Sequence, residues 1–124
     1  MDETELYAAI TPQGLHGLIA AFYRRIPGDP ILGPMYPPDD LVGAEARLHD
    51  FIAYRLGGPD DYIRTRGHPR LRMRHAPFAI DRAARDRWME LMTAAADEVA
   101  LAPAVRAPLL AFLGDVATFM INRP

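Results

Sequence analysis

The apolar positions of this chain recur every three to four residues through most of its length, the spacing of helices packed on one face. Leu15, Leu18, Ile19, Phe22 and Ile26 form one stripe, opened by Thr11-Pro12 as N-cap and first-turn residue and stopped by Pro27-Gly28. A short amphipathic piece, about Glu3 to Ala9, precedes it. Asp29-Pro30 opens a tight turn or 3₁₀ segment through Met35, closed by Tyr36-Pro37-Pro38. A second stripe, Leu41, Ala44, Leu48, Phe51 and Ile52, follows the carboxylates Asp39-Asp40, which favour a helix start, and ends at Gly57-Gly58-Pro59. Asp81 caps a third helix, with Ala84, Trp88, Leu91, Met92, Ala95 and Val99 inward. The last helix starts at about Ala104 or Ala107 and carries Val105, Leu109, Phe112, Leu113, Val116, Phe119 and Met120 to Ile121. Pro103 and Pro108 compete for its first turn, because Pro108 is not expected in a helix interior. No window alternates as a strand does, so the expected fold class is all-α, with four main helices.

Composition narrows this reading. The 124 residues suit a single domain, 1–124, with half of them hydrophobic. The chain has no cysteine, which excludes disulfides and thiolate metal sites. No apolar run approaches the ~20 residues of a membrane span, and the first residues lack a secretory signal, so a cytoplasmic, soluble protein is expected. Net charge is −2, from 14 basic and 16 acidic residues, which argues against a general nucleic-acid binder. All 14 basic residues are arginine, so every side-chain cation carries a planar fork suited to carboxylate or phosphate.

Residues 59–80 break the pattern. A helix–helix link is usually ~2–8 residues long, yet this one reads PDDYIRTRGHPRLRMRHAPFAI. It carries Arg64, Arg66, Arg70, Arg72 and Arg74 with no acid after Asp61, and it holds His68 and His75. His75 precedes Ala76-Pro77-Phe78, so its ring can turn inward beside Phe78. Taken alone it is either a ligand for a metal or haem iron or an ordinary half-buried histidine. A His68–His75 zinc pair is disfavoured: Pro69 makes His68 a helix boundary, and no third ligand stands at metal spacing. The arginines can hold a dianion or simply face water, and few aromatics interleave with them as nucleic acid would require. Tyr23, Tyr36 and Trp88 pair apolar bodies with one polar hydrogen each. They either anchor the core or converge on a small polar ligand. No serine or cysteine triad and no phosphate-binding glycine loop is present, and the Asp pairs read as helix caps.

Together these residues resemble a group II truncated haemoglobin. The resemblance is carried by GGPDDYIRTRGHPRLRMRHAPFAI (residues 57–80) with Trp88 beyond it, by FYRR (Phe22 to Arg25) and by MYPPDDLVGAEARL (Met35 to Leu48), and spans about Leu15 to Phe119. It implies a two-over-two helical sandwich, with residues 59–80 as a long loop and short helix on the proximal side. It implies one haem b (iron protoporphyrin IX) per chain, with His75 as the iron's proximal ligand. Tyr23, Tyr36 and Trp88 then become distal hydrogen-bond donors. Ala44 falls where a longer gate residue often sits, and Leu48 lies one turn on, over the haem. Phe51, Phe78, Leu48 and Leu91 supply apolar walls, and His68, Arg72 and Tyr62 are candidate propionate partners.

Two departures from the family pattern stand out. Thr11-Pro12 replaces a Gly-Gly pair between the first two helices. Near the end of the second long helix Arg55 stands where an aromatic is usual, with Tyr54 one step earlier. A one-residue shift turns a side chain by ~100°, so Arg55 is a further propionate candidate. The function implied is reversible binding of O2, CO or NO at a pentacoordinate iron, with slow O2 release. The alternatives are a haem enzyme of NO-dioxygenase or peroxidase type, fed by an unidentified reductase, and a haem-free helical interaction module. A homodimer is compatible with all three.

Overall fold

The computed structural model describes all 124 residues and is entirely helical. Its elements are α1 (Glu3–Arg24), a 3₁₀ turn (Gly33–Met35), α2 (Leu41–Arg55), α3 (Asp61–Arg66), α4 (Leu71–His75), α5 (Arg82–Glu98) and α6 (Pro103–Phe119). α1 packs on α2 and crosses α5, which packs on α6, so two helix pairs lie one over the other. The expected stripes meet at that crossing. Leu15, Leu18, Ile19, Phe22 and Ile26 from α1 and its end are fully buried, with Ile52 and Leu56, Met92, and Leu109 and Leu113.

α1 is two helices joined at Thr11, whose φ of 67° and ψ of 157° are not helical. The Thr11 hydroxyl caps the second piece, accepting the Gly14 N–H at 3.1 Å. The chain here holds a β-branched residue at positive φ, which costs roughly 1–3 kcal/mol. Asp2 and Asp81 cap α1 and α5 through the backbone N–H of Glu5 and Ala84.

Three expectations are corrected. α6 takes the earlier of its two expected starts, with Pro103 in its first turn, but Pro108 then sits inside the helix, where no proline was expected. Burial of Val105, Leu109 and Leu113 on either side holds the helix through the missing N–H. Phe119 does not face the core; it is 59% exposed at the helix end. The 59–80 segment contains two short helices rather than one, because Gly67 at φ 74° and Arg70 at φ 45° break the path between them. No helix is long and apolar enough to cross a membrane.

Candidate haem site

His75 closes α4, and its Nδ1 lies 2.8 Å from the carbonyl oxygen of Leu71, one turn earlier. A carbonyl only accepts, so Nδ1 carries the proton and Nε2 keeps its lone pair free. Metal-ligating histidines are commonly oriented in this way. The ring is half-buried, with Phe78 at 6.2 Å between ring centres. Phe78 itself is 38% exposed, at the rim rather than in a wall.

A cleft of about 350 Å³ opens between the end of α2 and the 68–73 segment, lined by Phe51, Tyr54, Leu71 and Phe119 among others. Arg55, Arg70, Arg72 and His68 stand around it, and no carboxylate lines it. Arg55 has its guanidinium over Phe112 and Phe51, 5.3 and 6.0 Å from the ring centres. Arg72 donates to the Phe119 carbonyl at 3.1 Å and lies over that ring, and His68 Nδ1 accepts the Arg70 N–H at 3.1 Å. Tyr62 is buried against Phe51 and accepts a hydrogen bond from Arg74 at 2.9 Å. Of the proposed propionate partners, then, Arg55, His68 and Arg72 surround one cleft. Tyr62 is committed to holding α3 on α2.

Three aromatic residues meet on the α1–α5 side. Tyr23 and Tyr36 are edge-on at 5.6 Å, and Trp88 tilts against Phe22 at 5.1 Å. Tyr36 joins the cluster through Tyr23, and Phe22 touches both Tyr23 and Trp88, so the Tyr36 hydroxyl and the indole belong to one aromatic group. Burial pushes that hydroxyl up to about 12, against a smaller opposite pull from Trp88. Burial also raises Tyr23, helped by its Tyr36 neighbour. Both phenols therefore keep their protons at neutral pH and serve as donors. Tyr23 spends its proton on the Ala44 carbonyl at 3.2 Å. Ala44 is buried, Leu48 half-buried on the same helix, and Leu91 buried one turn beyond Trp88.

Sequence reasoning missed four participants. Leu71 was findable from its i−4 spacing to His75. Arg74 bonds Tyr62, Arg66 and His68, stapling α3 to α4. Asn122 accepts the Ile80 N–H at 2.9 Å and donates to the carbonyls of Phe78 and His75 at 3.0 and 3.3 Å. Asp29 is the remaining one. No local pattern announces Arg74 or Asn122, whose partners are set by the tertiary fold.

His75 and the Tyr23–Tyr36–Trp88 group do not line the cleft at the end of α2, but the residue types fit haem: one oriented imidazole, aromatic and aliphatic side chains, and a cleft flanked by arginines and a histidine with no carboxylate among them. The profile of the bacterial-like globin family matches residues 5–122. The chain belongs to this family, as a group II truncated haemoglobin. A group 2 truncated haemoglobin of Bacillus subtilis is 37% identical over 117 residues, 94% of this chain and 88% of its own. The X-ray structure of the truncated oxygen-avid haemoglobin from that organism superposes with a TM-score of 0.89, over 94% of this globin and 98% of that chain. A thermostable haemoglobin of Thermobifida fusca is 42% identical, with a TM-score of 0.89 over 96% and 98% of the two chains. The group II protein of Bacillus anthracis is 32% identical, with a TM-score of 0.90, covering 100% of this globin and 93% of that one. Membership implies haem-based binding of diatomic gases.

Proposed function

We propose that this globin holds one haem b per chain on His75 and retains O2 through donors on the opposite side, releasing it slowly. Bound haem supplies a ferrous iron whose sixth position takes O2, CO or NO. The His75 Nδ1–Leu71 contact carries the reading, because it fixes the ring and leaves Nε2 as the donor. Arg55, Arg72 and His68 hold the propionate edge, and Phe51 with Leu48 exclude water from the porphyrin face. The Trp88 indole N–H and the Tyr36 hydroxyl stabilise negative charge on the outer atom of a polar ligand. Each such bond is worth roughly 0.5–1.5 kcal/mol net, and two near the upper end slow release about a hundredfold. The B. subtilis relative is described as oxygen-avid, which favours retention over carriage.

The test has two parts. Purified protein should show a Soret band and a five-coordinate ferrous spectrum. Trp88→Phe should then speed O2 dissociation at least severalfold in stopped flow. An unchanged rate removes Trp88 from the mechanism, and a colourless protein that takes up no added haem removes the haem reading altogether.

A further inference from the structure

Asp29 is the only buried charged residue in this protein, its side chain 1% exposed. One carboxylate oxygen accepts the backbone N–H groups of Ile31 and Leu32 at 3.1 and 2.8 Å. The other accepts Arg87 Nε at 2.5 Å. Burial alone would push this carboxyl up, but the Leu32 N–H, Arg87 and the Ile31 N–H together hold it below the ordinary carboxylate range. A neutral Asn could serve the two turn N–H groups without the cost of burying a charge. The charge therefore has its use at Arg87.

The two arms of that carboxylate reach the segments that carry the proposed donors. Leu32 leads through the 3₁₀ turn to Tyr36, with Met35 N–H on the Leu32 carbonyl at 2.9 Å and Tyr36 N–H on Gly33 at 3.3 Å. Arg87 is the residue before Trp88 on α5. The Asp29–Arg87 bond therefore links the turn at 29–32 to the α5 turn that carries the indole, beside the Phe22 contact at 5.1 Å. We infer that Asp29 is a positioning residue: acting through Arg87, it holds the α5 turn that carries the Trp88 indole in register with the turn that leads to Tyr36, and so sets how long the site keeps its ligand. This deepens the proposed function and rests on it.

Trp88 is the only tryptophan, so its indole gives a single, unambiguous N–H resonance. Asp29→Asn keeps an oxygen for the turn and opposes a donor to Arg87. Arg87→Gln breaks the same link from the half-exposed side. In the CO-bound ferrous protein each should shift the indole resonance and speed its solvent exchange at least fivefold. Each should also speed O2 release at least threefold. With Trp88→Phe already present, Asp29→Asn should add less than 1.5-fold. Glu90→Gln, which removes the other carboxylate on Arg87, should leave both readouts near native. A native indole signal and release rate in the Asp29 and Arg87 variants, with Trp88→Phe alone effective, overturns this inference only. Equal acceleration by Asp29→Asn with and without the indole overturns it as well. No effect of Trp88→Phe by itself overturns the proposed function and this inference together.

Discussion

Tyr23 and Trp88 hang from helices whose inner faces are sealed by fully buried side chains, whereas His75 ends a five-residue helix with no buried residue at all. Within residues 61–80 only Tyr62 is buried, and the rest of that segment is held by side chains bonded to distant backbone. Arg74 ties α4 to α3, Arg72 ties it to the end of α6, and Asn122 ties the chain after it to residues beyond α6. One side of the site is thus preformed by core packing. The other is suspended on polar clips and gains its apolar burial from whatever fills the cleft. Burial scales with area and is cooperative, while each hydrogen bond contributes about 1 kcal/mol and fails singly.

The contrast can be broken from the core side most forcefully. Leu18→Ala should cost about 2–5 kcal/mol of global stability, read as a lowered denaturation midpoint. It should loosen both sides together. Arg74→Ala should act on one side only. Loss of its contacts should weaken the α3–α4 unit by about 1–2 kcal/mol, seen as haem transfer to a scavenging globin that is roughly 5–30-fold faster. The unfolding midpoint should move little. Asn122→Ala should do the same to a lesser degree. Equal loss of midpoint in the Leu18 and Arg74 variants would show that the segment is part of the core after all.

Thr11→Gly sharpens the comparison with the smallest effect. It relieves the positive-φ backbone at the α1 kink, loses the Gly14 cap and adds chain entropy. The balance is a gain of about 0.5–1 kcal/mol, read by thermal denaturation. Haem transfer should be unchanged, since Thr11 lies outside the 61–80 segment.

The same divide separates what the sequence revealed from what it withheld. The α1, α2 and α5 stripes were legible because period and burial coincide there. So was Asp81 as a cap, because its partner is three residues away. Pro108 misled because tertiary burial of Leu109 and Leu113 outweighs a local helix penalty. Phe119 misled because the buried stripe of α6 runs through Leu109, Leu113, Ala117 and Met120 and leaves Phe119 beside it. His75 was visible through the family resemblance, and the Leu71 carbonyl that orients it lay within one helical turn. Arg74, Asn122 and the Asp29–Arg87 pair were out of reach. Their partners are 6 to 58 residues away in sequence, and no spacing rule links them.

The Tyr23 hydroxyl already has an acceptor in the Ala44 carbonyl. On the proposed reading, a guest must outbid that backbone oxygen before Tyr23 turns toward it. Weakly polar CO offers little inducement, while O2 with a negative outer atom offers more. The phenol thus works as a threshold rather than a fixed tether, sorting visitors by how much charge they bring.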